Sequence, residues 1–378
     1  MNTRIRRTAL AVVSILAVLA LAPWGIAHAQ RPQPPAPATP FDGVPEFGTS
    51  APVVGPMSTP AIGTSLLNGG NRLVAMQNLD GGWGWPLTGA SAPNTIGPIG
   101  MGLGKALEHT GNSGEQAALH NAGAFLLTKN GNFSPSDGYL AAELDGIFGG
   151  MTYRDYVNAH FYSLLAAGTY QRIAVPADPT FYDTAAYVNR IRTSRAAQGI
   201  PNLAAWDVGI GLVGASMAGV SGADLNTWIA GTEAEINELD GSQSYDVIGL
   251  AGGLYGLAFV GQEFDPTSGL AALASNLHSM ATILVSYQLA TGGFSWNSQN
   301  MDEGVGNETI QETAYSILAL NAVYRTTFLP AIVHAADYLF NVQLGTGGWA
   351  DYTGGDENNE ITGEALWGLD TGYPVGDV

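Results

Sequence analysis

An all-helical fold of about six hairpins in inner and outer rings, an α/α toroid, is what this 378-residue sequence predicts. Three observations carry the prediction. A phrase recurs three times, at Gln77 to Trp83, Gln288 to Phe294 and Gln343 to Trp349, each reading Gln, then a Gly pair, then an aromatic residue. Each copy follows an apolar run with helical spacing, such as Leu73 and Met76 or Tyr338, Leu339 and Val342. Second, the segments after the phrase match one another. Asn307-Glu308 through Glu312 and Tyr315 aligns with Asn359-Glu360 through Glu364 and Trp367, and Asp155 through His160 and Tyr162 fits the same frame. Trp206-Asp207-Val208 likewise matches Tyr245-Asp246-Val247. Third, two kinds of helix alternate.

One kind is apolar and rich in small residues, with starts near residues 95, 155, 207, 246, 308 and 360. Glycine lowers helix propensity by up to about 1 kcal/mol per residue, so Gly209, Gly211, Gly214, Gly249, Gly252, Gly253 and Gly256 make sense where helices pack closely on all sides. The other kind is amphipathic, over 65–77, 114–128, 182–196, 223–238, 268–288 and 330–343, and suits an outer layer. A Gln closing a helix, a Gly pair for the turn and an aromatic plug form the joint between the two kinds.

The toroid domain is expected over residues 61–378. Ahead of it, Arg4, Arg6 and Arg7 precede an apolar stretch and Ala27-His28-Ala29, the pattern of a cleaved secretory signal over residues 1–29. Residues 30–60 are proline-rich and suit an extended tether. The expected location is therefore outside the cytoplasm, secreted, periplasmic or on the cell surface, with no stable membrane span once the signal is cleaved.

A formal charge of −19 bounds the partners, because such a surface repels nucleic acid and anionic membranes. The expected ligand is a glycan or a small molecule. The chain has no cysteine, which excludes disulfides, thiolate metal sites and thiol catalysis. His109, His120, His278 and His334 lack metal-ligand spacing, so no zinc site is expected. Two oxygen-rich loops, with Asn297, Asn300, Asp302, Glu303 and Asn307 and with Asp351, Asp356, Glu357, Asn358 and Asn359, suit calcium in composition. Neither matches a defined calcium motif, and no cofactor is expected.

The Gln-to-Trp repeats resemble those of the terpenoid cyclase and protein prenyltransferase superfamily, in its squalene-cyclase branch. The resemblance covers most of residues 61–378 and implies the toroid. It does not carry the chemistry over. A class II cyclase protonates its substrate with an Asp-x-Asp-Asp run and a prenyltransferase needs a zinc-ligating Cys; this sequence has neither. Complement-type thioester domains share the toroid, but Ser113 stands where their Cys would be in Ser113-Gly114-Glu115-Gln116.

In a toroid the inner helices run parallel, so their N-termini gather at one mouth. That places Asp155, Asp207, Asp246, Glu308, Glu312, Glu360 and Glu364 around it. Acids also favour helix N-termini as caps and through the macrodipole. Glu312 and Glu364 lie a turn inside helices that are otherwise apolar, and a buried carboxyl needs a partner or a raised pKa. Paired carboxyls across a cavity are what glycoside hydrolysis uses. Glu312 and Glu364 are therefore the candidate catalytic pair, with Asp155 and His160 as supporting polar groups. Trp85, Trp296 and Tyr352 are candidate sugar-stacking residues just beyond the joints, alongside Asp207, Asp246, Glu308 and Glu360 as ligand-binding acids. Trp83 and Trp349 are expected to be joint plugs. The functional expectation is an exported carbohydrate-active enzyme, a hydrolase before a lyase. A non-catalytic surface or binding module and a divergent isoprenoid cyclase are the alternatives.

Overall fold

The computed structural model describes residues 59–91, 95–127, 184–217, 220–241, 244–303 and 306–374. The expected signal, the tether up to residue 58, Asp155 and His160 lie outside them. In all three repeats the glutamine does the same thing. The Gln77 amide donates to the carbonyl of Gly81 in its own turn (2.9 Å) and to Ala118 in another helix (2.8 Å). Gln288 does so with Gly292 (2.9 Å) and Ala331 (2.8 Å), and Gln343 with Gly347 (2.7 Å) and Ser65 (2.9 Å). The turn glycines Gly81, Gly292 and Gly347 have φ of 90°, 99° and 95°, which a side chain disfavours. They also abut the helix that the glutamine holds: an added Cβ on Gly292 would lie 2.1 Å from the His334 carbonyl. The aromatic residue then turns inward. Trp83 and Trp349 are fully buried, and each indole N–H donates to a helix carbonyl, Leu73 and Leu339, at 2.8 Å. Phe294 is buried in the same way.

The joints connect ten helices among the described residues: α1 (Thr59–Met76), α2 (Ile96–Thr110), α3 (Ser113–Leu127), α4 (Thr184–Ala197), α5 (Leu203–Met217), α6 (Gly222–Glu238), α7 (Asp246–Phe259), α8 (Leu277–Val285), α9 (Ile310–Asn341) and α10 (Asn359–Gly372). Two small antiparallel ladders lead from the second and third joints into α9 and α10: β1 (Phe294–Ser295) with β2 (Glu308–Thr309), and β3 (Trp349–Ala350) with β4 (Glu357–Asn358). The N–H groups of Phe294 and Trp349 are fixed by the hydroxyls of Thr313 (2.9 Å) and Thr362 (3.0 Å), one from each following helix.

The helices form the two rings that the sequence predicts. α2, α5, α7, the first half of α9 and α10 are the inner ones, and α5 packs on α7, α7 on α9, α9 on α10 and α10 on α2. Their burial is all-round: α7 is buried from Asp246 to Leu257 and α10 from Asn359 to Asp370. The outer helix α6 instead buries only Trp228, Thr232, Glu235 and Ile236, a single stripe. Inner glycines sit where backbones cross. A Cβ on Gly209 would lie 2.2 Å from the Gly252 carbonyl, and one on Gly102 would lie 2.0 Å from that of Gly363. The predicted inner helix near residue 155 is not among the described residues.

Two details differ from the sequence reading. The outer helix expected over 268–288 is helical only over Leu277–Val285, because Gly269 takes φ 77° in a turn and Asn276 with Ser279 forms a capping box that starts the helix late. The inner helix after Glu308 and the outer helix ending at Asn341 run on without a loop. They meet at Tyr324, whose φ of −168° and ψ of 85° break the helix, and Pro330 lies soon after the break. Arg325 then donates to the carbonyls of Thr371 (2.9 Å) and Gly372 (3.1 Å), satisfying the open end of α10.

The ring closes through the third joint, because Gln343 follows the last outer helix and Ser65 lies in the first. Gln343→Ala leaves two carbonyls without their donor and should lower unfolding free energy by about 1–3 kcal/mol. Gly347→Ala should cost at least as much, since its Cβ would lie 2.6 Å from the Asn68 carbonyl. Urea unfolding checks both, and midpoints equal to wild type would remove the structural role given to the joint.

Candidate functional site at the mouth of the inner ring

The six described acids predicted at the mouth, Asp207, Asp246, Glu308, Glu312, Glu360 and Glu364, are buried, and they divide by what holds them. Asp246 opens α7 and accepts from the Ser298 backbone N–H at 3.1 Å and from the Ser298 hydroxyl, so it ties the loop after β1 to the helix. Glu308 accepts from the Thr291 hydroxyl (2.6 Å) and the Gly306 N–H (2.8 Å), closing the β1–β2 hairpin. These two brace loops. Glu312 sits in the first turn of α9 and accepts the hydroxyl of Thr309, the residue before that helix.

Asp207 has a partner that sequence reasoning missed. Both its oxygens bond the guanidinium of Arg195, Nη2 to Oδ1 at 3.0 Å and Nε to Oδ2, and both side chains are buried. Such a fork is the strong geometry for an arginine and a carboxylate. Arg195 comes from α4, an outer helix. The available signal was its place on the buried stripe of Val188 and Ile191, where an arginine needs a buried partner. Arg192 lies off that stripe and serves Glu235 and Glu238 of α6.

Glu360 and Glu364 of α10 share this neighbourhood. Burial pushes the Glu360 carboxyl up to about 8; Arg195 opposes the rise, and Asp351 and Asp207 add to it. Burial, then the charge of Glu360, holds Glu364 well above the ordinary glutamate range, against hydrogen bonds from Gln311 and Tyr315. The Gln311 amide reaches both Glu364 oxygens, at 2.9 and 3.0 Å. Asp246 is likewise pushed up to about 7 by burial.

Glu312 and Glu364 occupy equivalent places in their repeats, each three residues before an aromatic ring. Those rings, Tyr315 and Trp367, meet edge-on at 6.3 Å. Trp206 meets Tyr315 at 5.5 Å and Tyr255 meets Trp367 at 6.0 Å, so four inner helices contribute to one aromatic floor. The equivalence places the two carboxyls in one layer, a turn nearer the mouth than that floor.

The candidate stacking residues lie on loops leading to this mouth. Trp296 is half-buried and edge-on to Tyr245 at 6.0 Å, and Tyr245 lies in the electrostatic field of Arg195. The loop of Trp85 is held by the Asn359 side chain, which donates to the Gly84 carbonyl at 3.1 Å. The Trp85 indole N–H is buried without a partner among the described residues. Tyr352 is exposed between β3 and β4. Among the described residues, no group of three or more Asp, Glu or His side chains has metal-binding geometry. One described helix, α9, is long and apolar enough to cross a membrane by length and composition, but it is broken at Tyr324 and belongs to both rings.

Compared with known protein families and with curated proteins, the sequence matches none. Solved structures do match. A possible member of the GH105 family from Salmonella enterica serovar Paratyphi A is similar over 83% of this chain and 94% of its own, with a TM-score of 0.52 and 11% identity. The fold is an α/α toroid. A protein from Actinoplanes, 15% identical, is similar over 82% of this chain and 99% of its own at a TM-score of 0.48. A type II terpene cyclase from Scytonema, solved with geranylgeranyl dihydroxybenzoate, covers 82% and 97% at 0.47 and 15% identity. At 11% identity the likeness to the Salmonella protein speaks to fold alone.

The raised carboxyls make stability depend on pH. A carboxyl whose folded pKa lies above its unfolded value holds extra protons in the folded toroid, so its contribution is complete below the unfolded value and is lost as pH rises through the folded one. For Asp246 and Glu360 that window runs from their ordinary values of 3.8 and 4.5 to about 7 and about 8. Urea midpoints should therefore fall as pH rises across this range. Asp246→Asn and Glu360→Gln should each flatten the fall; an unchanged slope in both would remove these groups as its cause.

Proposed function

We propose that the protein is an exported glycan-active enzyme, a hydrolase, working with carboxyls at the mouth of the inner ring. The observation that carries this reading is the burial of Glu312 and Glu364 at matching positions of successive inner helices, with Glu364 held above the ordinary glutamate range. Hydrolysis of a glycosidic bond needs one carboxyl that donates a proton to the leaving oxygen and one that activates water or attacks the sugar. Glu364 is assigned the donor, since burial and the charge of Glu360 favour its protonated form. Glu312 is assigned the second part. Trp85, Trp296 and Tyr352 then present rings to a sugar at the rim, and Asp155 and His160 keep the supporting roles expected from the sequence. Calcium is no part of this reading.

The aromatic floor under Glu364 favours a second reading, an isoprenoid cyclase-like enzyme, because rings stabilise carbocations. Against it stands the missing Asp-x-Asp-Asp run.

The test is a polysaccharide panel presented to the purified mature chain, read for new reducing ends and for the absorbance of unsaturated products. Reducing ends without that absorbance support hydrolysis. The absorbance would reassign the enzyme as a lyase, and binding without turnover would make it a binding module. On any substrate found, Glu364→Gln and Glu312→Gln should each lower kcat by about 100-fold or more. Full activity in either variant would remove that residue from the chemistry.

A further inference from the structure

The three repeat glutamines face backbone carbonyls, which only accept, so each amide has one polarity. At Gln77 and Gln343 the amide oxygen is held as well, by Asn121 and by the Ser65 hydroxyl. Gln311 differs, because its amide faces a carboxyl. It lies in the first turn of α9, and its Nε2 stands 2.9 and 3.0 Å from the two oxygens of Glu364 on α10. Both side chains are buried, at 1% exposure each. Among the described residues the Gln311 amide makes no other bond. We propose that Gln311 is a positioning residue for Glu364, holding that carboxyl in one place whether or not it carries its proton.

The chemistry of the pair supports this. An ionised carboxyl only accepts hydrogen bonds, whereas a protonated one must also place its O–H on an acceptor. A primary amide serves both states, because a half-turn of its end group exchanges N–H for C=O. A lysine serves only the ionised state, and an apolar residue serves neither. The proton donor of a glycosidase passes through both states in each cycle. Its carboxyl keeps one place if its partner can follow. Since the Gln311 amide has no second partner among the described residues, the half-turn breaks no other contact there.

The titratable and charged groups around the pair act by charge or are engaged elsewhere. Glu360 of the same helix and Asp351 of the hairpin before it act on Glu364 by charge, and Tyr315 of α9 adds a hydroxyl hydrogen bond. Glu312, beside Gln311, takes the Thr309 hydroxyl. Arg195 of α4 and Asp207 of α5 hold each other. On α2, which packs on α10, Lys105 pairs with Glu108, and His109 bonds Asp370 at 2.7 Å near the far end of α10. Arg72 of α1 is committed to Glu357 by two bonds of 2.6 and 2.9 Å.

The proposal rests on the reading of Glu364 as the proton donor, but its first readout needs no substrate. The experiment is infrared difference spectroscopy of the full mature chain across pH, following the carboxylic acid C=O band, with Glu364→Gln used to assign the Glu364 component. Gln311→Met keeps the side-chain length and removes the amide. The midpoint of the Glu364 component should then rise by about one to two pH units, because the ionised form loses its donor. The band itself should move to higher wavenumber, because the protonated form loses its acceptor. An unchanged midpoint or an unchanged band position in folded Gln311→Met overturns the proposal. If that variant does not fold, Gln311→Asn, too short to span both oxygens, should show the same two shifts, and wild-type values in it overturn the proposal. On any glycan that is turned over, Gln311→Met should lower kcat by about 10- to 100-fold and move the alkaline limb of its pH profile upward. Full kcat with an unmoved limb overturns the proposal as well. A chain inactive on every glycan leaves the band to decide, and a band unmoved in Gln311→Met leaves glycan turnover standing.

Discussion

The structure depends on a primary amide that bonds in two directions. Each repeat glutamine gives one N–H to its own turn and the other to a neighbouring outer helix, so one side chain both ends a helix and places the next. The glycine that follows it is required twice over, by its positive φ and by the carbonyl pressed against it. At Gln343 this local device becomes global. Its partner Ser65 lies 278 residues earlier, and the Ser65 hydroxyl also donates to the Gln343 side-chain oxygen at 2.8 Å. A ring of hairpins has no sheet edge or single core to fix its closure; here a bond repeated from within the chain fixes it.

Closure sets the electrostatics of the mouth. Parallel inner helices bring their N-terminal acids together, and the all-round packing that keeps the helices in register also removes water from those acids. At Asp246, Glu360 and Glu364 the pKa rises because burial outweighs the hydrogen bonds on offer. Much of the acidity is thereby put to structural use, with Asp246 and Glu308 bracing the loops that form the rim. The acids on α9 and α10 lie beside the aromatic floor of Trp206, Tyr255, Tyr315 and Trp367.

The outer ring takes part in this site. α4 sends Arg195 inward, and the joint that follows α8 leads into the hairpin that presents Trp296. The C-terminal ends of the inner helices carry a separate group of polar links, with His109 on Asp370, Tyr373 on Asp337 at 2.5 Å, and Arg325 on the last carbonyls of α10. These join α2, α9 and α10 at the end away from the carboxyl layer. The two ends of the ring therefore do different work, one fastening and the other holding protons.

The sequence by itself determined the joints, the alternation of helix kinds and the matching places of Glu308 with Glu360 and Glu312 with Glu364. Each of these depends on residues a few positions apart, where periodicity and turn chemistry are decisive. It also marked Trp83 and Trp349 as plugs, because an aromatic residue after a glycine turn has one direction to point. The tertiary structure alone decided which acids brace and which stay available, since that turns on partners such as Ser298 for Asp246 and Arg195 for Asp207. It decided the late start of α8, set by the Asn276–Ser279 capping box, and the direct run of the inner helix into the outer one at Tyr324 with no loop between them. It also decided the protonation of the mouth. Burial is a property of the closed ring, and a carboxyl's cost of ionisation is set by everything that surrounds it.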